Sequence, residues 1–259
     1  MADIKKIIID AGHGGVEPGA LYQGRREKND TLRLALAVGE ILSRAGMDVV
    51  YTRVNDIYQT PFEKALIANN SEADYFLSIH RNAMPVPGTA SGSETLVYEN
   101  TGVPAMLAAN INEQMEKAGF SNLGTIERPG LIVLRRTQMP AVLVEAGFID
   151  NEADNAFFDQ NFEKIAQAIA DGVLMTVKEE EAQPYYYQVQ VGAFQNEGYA
   201  EQLLNQLLDQ GFPAFIVADD GLFKVRSGAF LDLDNAAWME RSLRGLGYPT
   251  MIVKEQPVD

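Results

Sequence analysis

Histidine is scarce in this 259-residue chain: there are two, His13 and His80. Each follows a short apolar run. His13 lies in Ala11-Gly12-His13-Gly14-Gly15 after Ile7-Ile8-Ile9-Asp10, and His80 ends Tyr75-Phe76-Leu77-Ser78-Ile79. Apolar runs of this length, rich in β-branched or aromatic residues, read as buried strands. The glycines around His13 let the backbone turn sharply at the strand end. In open α/β sheets, ligands bind beyond the carboxyl ends of the strands. Either histidine alone is equally well read as a structural side chain. Two of them at two strand ends, in a chain without cysteine, point to a metal held by imidazole and carboxylate. Zinc suits such a set, and catalytic zinc sites commonly use three protein donors with a fourth position open.

Two carboxylates stand out as the third donor, and spacing does not choose between them. Glu27, in Arg26-Glu27-Lys28-Asn29-Asp30, opens a helical pattern, where an acid also suits the helix dipole. Glu145 ends Ala141-Val142-Leu143-Val144 and precedes Ala146-Gly147-Phe148. A carboxylate there is largely buried, and an unpaired buried charge is costly. It therefore needs a nearby cation, a metal-bound water, or a salt bridge to Arg135 or Arg136.

The elements that must position these residues alternate. Helical spacing runs from Lys28 to Arg44, with Gly46 as a stop. Met47 to Thr52 reads as a strand. Phe62 to Asn70 reads as a helix with Pro61 at its first position. Tyr75 to His80 and Gly92 to Tyr98 read as strands, and Pro104 to Gly119 as a helix. Leu131 to Leu134 and Ala141 to Glu145 read as short apolar strands. Asn151 to Phe158 and Phe162 to Lys178 read as helices. Strands alternating with helices predict an α/β fold: a doubly wound, mostly parallel sheet with flanking helices.

Composition narrows the function. Apolar residues make up 46% and charged residues 22%, enough for a core without disulfides or thiolate metal sites, which the absence of cysteine excludes. The formal net charge of −15 argues against nucleic acid and against anionic lipid surfaces. It places no bar on an uncharged or carbohydrate target. The apolar run Ile7 to Ile9 is too short for a signal peptide, and no stretch reaches the length of a membrane span. Synthesis in the cytoplasm is expected.

Lys178 to Pro184 is charged, breaks the apolar periodicity and reads as a short linker. A repeat comes after it. Val189-Gln190-Val191-Gly192-Ala193-Phe194 matches Val225-Arg226-Ser227-Gly228-Ala229-Phe230. The same offset relates Gly211 to Gly247, Phe212 to Tyr248, Pro213 to Pro249 and Ile216 to Ile252. Each copy reads strand, helix, strand. One copy cannot bury its own sheet face, so the pair predicts a small α+β C-terminal domain of two βαβ repeats. The predicted organisation is a domain over 1–177, a linker over 178–184 and the duplicated domain over 185–259.

Several short motifs occur in order: Ile9-Asp10-Ala11-Gly12-His13-Gly14-Gly15, Pro18-Gly19-Ala20, Glu27-Lys28, Thr52-Arg53, Ala68-Asn69, Ala73-Asp74, Ser78-Ile79-His80-Arg81-Asn82, Val133-Leu134-Arg135, and Pro140 through Phe148. From about Ile4 to Val177 this set resembles the zinc-dependent N-acetylmuramoyl-L-alanine amidases of the Amidase_3 family. Tyr185 to Lys254 resembles the SPOR domain, whose members bind peptidoglycan glycan. The order of the two is similar to that of mother-cell-lysis amidases of spore-forming Bacillus relatives.

The resemblance implies hydrolysis of the amide between N-acetylmuramic acid and L-alanine. It implies Zn2+ on His13, Glu27 and His80, with Glu145 as the catalytic glutamate. Peptidoglycan is the implied partner, a monomer is expected, and the site of action is the cell wall after release. Asp10 is a candidate to orient His13, or simply a strand-end acid. Glu94, in Gly92-Ser93-Glu94-Thr95, matches a glutamate common in the family and is a candidate substrate or metal-shell residue. Tyr187, Gln190, Lys224 and Arg226 are candidate glycan contacts. The sequence departs from the family pattern at Ala11, Glu17, Lys64 and Leu123-Gly124, and the last two departures bear on substrate contacts. Two other readings compete. A non-catalytic wall binder on a degenerate amidase fold would lack one of the four site residues, and all are present. A zinc peptidase acting on the stem would share the metal chemistry and differ in its products.

Overall fold

The computed structural model describes residues 4–182, 185–231 and 233–255. The chain divides into two compact units, Met1–Glu179 and Glu180–Asp259.

The first unit runs β1 (Lys6–Ala11), a small hairpin of β2 (Leu21–Tyr22) and β3 (Arg25–Arg26), α1 (Glu27–Arg44), β4 (Asp48–Tyr51), α2 (Pro61–Asn69), β5 (Tyr75–Asn82), β6 (Ser93–Val97), α3 (Gly102–Ala118), β7 (Asn122–Glu127), α4 (Ile132–Arg136), β8 (Ala141–Phe148), α5 (Glu152–Gln160) and α6 (Phe162–Ala182). Six strands form one sheet in the order β4-β1-β5-β8-β6-β7. Neighbours are parallel except β6 and β8, which are antiparallel.

Both faces of the sheet are covered, which is why its central strands read as unbroken apolar runs. Ile7, Ile9, Leu77, Ile79, Val142 and Val144 pack with α1, α3 and α6. The alternate residues Ile8, Phe76 and Leu143 pack with Ala68 of α2 and with Val133 and Leu134 of α4. This alternation places Asp10, His80 and Glu145 on the α2/α4 face, toward the carboxyl ends of their strands. Helix α2 starts sharply because Thr60 and Glu63 form a capping box and Pro61 opens the first turn.

Three features differ from the sequence reading. Leu131 to Leu134 is not a strand: Leu131 precedes α4, and Val133 and Leu134 are buried by it. Four apolar residues fit either conformation, and a helical turn lets this segment pack on α2 and the sheet at once. Strand β7 carries no clear sequence signal because polar residues and Gly124 break its apolar pattern, and it lies at a sheet edge, pairing only with β6. The expected linker begins inside α6, which continues through Lys178 to Ala182. These are good helix formers, and Glu179 is anchored by Asn110 Nδ2 at 2.9 Å. Gln183 and Pro184 lie outside the described residues.

The second unit runs β9 (Tyr186–Phe194), α7 (Glu197–Asp209), β10 (Ala214–Asp219), β11 (Leu222–Phe230), α8 (Leu233–Gly245) and β12 (Met251–Glu255). Its sheet order is β10-β11-β9-β12, antiparallel throughout. Neither copy pairs its own first strand with its own second. The second strand of each copy pairs with the first strand of the other, and β9 and β11 form the centre. Val189, Val191 and Val225 then share one core with Ala200 and Leu207 of α7 and Met239 and Leu243 of α8.

Candidate functional site

His13, Glu27 and His80 come together from three elements. The loop after β1 supplies His13, the first turn of α1 supplies Glu27, and β5 supplies His80. His13 Nε2 lies 2.9 Å from Glu27 Oε2, and His80 Nδ1 lies 2.9 Å from Glu27 Oε1. One donor atom from each residue falls within 4.8 Å of the others. The two imidazoles meet edge to face at 4.7 Å. Both histidine side chains keep about a fifth of their surface exposed, at 21% and 19%, whereas Glu27 keeps 5%.

The backbone around the cluster is built for close approach. A Cβ on Gly12 would fall 2.5 Å from the His80 ring, and one on Gly19 would fall 2.6 Å from both Glu27 Oε2 and His13 Cδ2. His13 itself has φ of 60°, unusual for a residue with a side chain. The loop is tied down on several sides. Arg53 donates to the carbonyls of Ala11 and Gly12 at 3.0 and 2.8 Å, Thr31 Oγ1 donates to Gly12 O at 2.7 Å, and Lys28 Nζ donates to Gly15 O at 2.8 Å. Such conformations persist where the surroundings over-determine them.

Glu27 accepts two backbone bonds as well, from Ala20 N at 2.9 Å and Arg81 N at 3.0 Å. Burial works against its charge, but hydrogen bonds from His13 and His80 outweigh it and hold the carboxyl well below the usual carboxylate range. Burial lowers the pKa of His13, yet the Glu27 and Glu17 carboxylates prevail and raise it. Two imidazoles and a carboxylate, all converging, form a donor set that matches zinc.

The second nitrogen of His13, Nδ1, is bonded by Glu17 Oε2, whose other oxygen accepts from Gly19 N at 3.0 Å. A carboxylate on the outer nitrogen fixes the orientation of a ligating imidazole. Asp10, the sequence candidate for that task, does something else. It is fully buried and accepts from Thr52 Oγ1, Lys64 Nζ and Ser78 Oγ, each at 2.7 Å. Lys64 Nζ also donates to Ala11 O at 2.6 Å. The departure at Lys64 is thus accommodated in a buried ion pair beneath the site. Glu17 escapes sequence reading as a partner because a loop contact four residues away leaves no periodic trace.

Glu145 stands beside the cluster. It is the register partner of His80 on β5 and of Glu94 on β6. Its Oε2 is sealed from solvent and has no hydrogen-bond partner. Burial, then the charges of Glu27 and Glu94, push its carboxyl well above the usual carboxylate range. The alternative of a salt bridge to Arg135 or Arg136 does not hold, since Glu145 forms no ion pair among the described residues. A cleft of about 450 Å³ opens onto His13 and His80, walled by Tyr58, Leu131 and Ile132, with Lys64 among its lining residues. Together these groups can bind a divalent cation, polarise a carbonyl and move a proton.

In the second unit, Gln190 reaches Met251, Lys224 pairs with Asp219, and Arg226 is buried. Arg226 donates to Gln188 Oε1 at 2.9 Å and pairs with Glu255 at 2.7 Å, so it braces the sheet rather than offering a free guanidinium. Among the described residues no helix is long and apolar enough to cross a membrane.

Comparison with known proteins agrees with this geometry. Residues 7–175 match the N-acetylmuramoyl-L-alanine amidase family, and residues 183–254 match the SPOR domain. A sporulation-specific N-acetylmuramoyl-L-alanine amidase of Bacillus subtilis strain 168 is 34% identical over 222 residues, covering 83% of this chain and 85% of its own. The crystal structure of an N-acetylmuramoyl-L-alanine amidase from Clostridium difficile 630 superposes with a TM-score of 0.65 at 30% identity, covering 69% of this chain and all of that one. The catalytic domain of the amidase CwlV from Paenibacillus polymyxa gives 0.63 at 31% identity, covering 68% and 99%. The alternating strands and helices, the His-Glu-His cluster and these matches converge: this chain belongs to the N-acetylmuramoyl-L-alanine amidases, and it carries a SPOR domain after the amidase domain.

Proposed function

We propose that this peptidoglycan amidase is zinc-dependent, with His13, Glu27 and His80 as the metal ligands and Glu145 as the general base and acid. The observation that carries the proposal is the convergence of the three donor atoms within 4.8 Å beside a carboxyl with an unpartnered, enclosed oxygen. Zinc held there supplies Lewis acidity, which polarises a scissile carbonyl and lowers the pKa of water. The protein's own part is positional and protonic. Glu17 fixes the ring of His13, and the Ala20 and Arg81 amides fix Glu27. Glu145, whose carboxyl burial holds well above the usual carboxylate range, takes the proton of the attacking water and passes it to the leaving L-alanine nitrogen. The bond between carbonyl and nitrogen breaks, leaving a free carboxylate on the sugar and a free amine on the peptide.

The SPOR domain holds the enzyme on the wall, raising local substrate concentration without adding catalytic contacts. The likeness to the sporulation-specific amidase extends through 83% of this chain. It supports a role in wall lysis during sporulation; that the protein acts at the wall as a monomer is part of the proposal. We place the catalytic domain at 1–177 and the wall-binding domain at 185–259.

The test is digestion of purified peptidoglycan by wild type and Glu145→Gln, each with and without chelator, with products identified by mass spectrometry. The expected products are peptides with free N-terminal L-alanine, lost on chelation and restored by zinc. Glu145→Gln retains zinc and loses about 10²- to 10⁴-fold in rate. Cleavage inside the stem peptide, or activity untouched by chelation, overturns the proposal.

A further inference from the structure

The row of side chains that begins at His80 does not end at Glu145. The strand order β5-β8-β6 and the registers His80↔Glu145 and Glu94↔Glu145 set the three residues side by side at one level of the sheet. All three face the α2/α4 side, since Ile79, Val144 and Val97 pack on the other. Adjacent strands lie about 4.8 Å apart, so β6 carries Glu94 roughly 10 Å from the His80 strand, on the far side of Glu145.

Among the described residues this pair is offset only without contact, by the charges of Arg81 and Arg128, which act on Glu145 less than burial and the neighbouring acids do. Glu94 Oε1 accepts from Asn82 Nδ2 at 2.9 Å, a neutral donor two residues beyond His80. Neither Glu94 nor Glu145 forms an ion pair among the described residues. Like charges directly opposite on neighbouring strands destabilise a sheet. An enclosed oxygen without a donor, such as Glu145 Oε2, adds a further cost. A donor or cation entering at this point relieves both.

Amide cleavage generates such a group. The scissile nitrogen carries one N–H in the substrate and becomes an amine, largely protonated near neutral pH, in the product. When the carbonyl oxygen faces the His13–Glu27–His80 cluster, the nitrogen extends along the row toward Glu145 and Glu94. We infer that Glu94 binds the L-alanine nitrogen, accepting its N–H in the substrate and its ammonium in the product. Glu94 is then a further catalytic residue, holding the leaving nitrogen against the proton carried by Glu145. The inference rests on the amidase reading above.

The peptide product, purified from a wild-type digest, provides the probe, with the same peptide N-acetylated as its control. Inhibition of peptidoglycan cleavage by each is measured for the zinc-loaded full-length protein and for Glu94→Gln. Zinc content and thermal unfolding check the fold of the variant. The wild type is expected to bind the free-amine peptide about tenfold or more tightly than the acetylated one. Glu94→Gln is expected to lose most of that preference and to fall in kcat more than it rises in KM. Equal inhibition by the two peptides overturns the inference using wild-type protein alone. A preference that survives Glu94→Gln assigns the amine to another group, and overturns it too. If the wild type releases no peptide at all, the amidase reading fails and takes this one with it.

Discussion

The two sheets of this protein place charge in different ways. In the N-terminal unit, buried charges gather where strands end and helices begin: Asp10, Glu27, Lys28, Arg53, Lys64 and Arg81 are all nearly inaccessible. Each is tied to another charge or to backbone atoms, so the cost of burial is offset by fixed partners. In the C-terminal unit, Arg226 is the one buried charged residue among those described, and its partner Glu255 remains 38% exposed. A site that binds a cation and moves protons needs desolvated groups held rigidly. A domain that holds a long polymer needs surface, and its interior can be built from Val189, Val191, Val225 and helix residues alone.

The sharpest way to break this contrast is to remove a charge from the metal cluster. Glu27→Ala leaves two imidazoles without the carboxylate between them. Zinc content should fall toward zero and peptidoglycan turnover by about 10³-fold or more, as metal analysis and product release would record. Wall binding should survive, because it resides in the other unit.

A comparison of two buried cations, one from each unit, sharpens it further. Lys64→Met strands Asp10 in a fully buried position, and calorimetry should show the N-terminal unit destabilised by roughly 3–5 kcal/mol. Arg226→Met leaves Glu255 able to reach water, and should cost about 1 kcal/mol. Similar losses in the two would erase the distinction between the sheets. The pair also carries a pH signature. Burial acts to raise the Asp10 carboxyl, but Lys64 prevails and holds it below its ordinary value. A depressed carboxyl contributes stability that is present above about pH 4 and lost as pH falls through the lowered value. Acid titration of unfolding should show this contribution in wild type and not in Lys64→Met.

The smallest effect on chemistry should come from removing residues 180–259. Binding to whole cell walls is expected to weaken by about tenfold or more in a sedimentation assay, while turnover of soluble wall fragments changes by no more than about twofold. Equal loss of both would count against modular action.

Much of the molecule is legible in the sequence because its signals are local or periodic. Two histidines at the ends of apolar runs announce a candidate metal site, and Pro61 announces the start of α2. The recurrence of Gly-Ala-Phe announces the duplicated domain. Leu131 to Leu134 and Lys178 to Ala182 mislead because short apolar runs and charged helix ends are ambiguous without their neighbours.

Residue order by itself determined the strand and helix periodicities, the scarcity of metal-binding side chains and the presence of two repeat copies, since these depend only on the succession of residue types along the chain. Only the tertiary structure decided which groups meet. Glu17 rather than Asp10 takes the outer nitrogen of His13, and Lys64 lies beneath the site bound to Asp10. The antiparallel entry of β6 sets Glu94 opposite Glu145, and the central strands β9 and β11 come from different repeat copies. These pairings arise from strand order and register, which are set by packing both sheet faces at once and leave no mark in the spacing of residues.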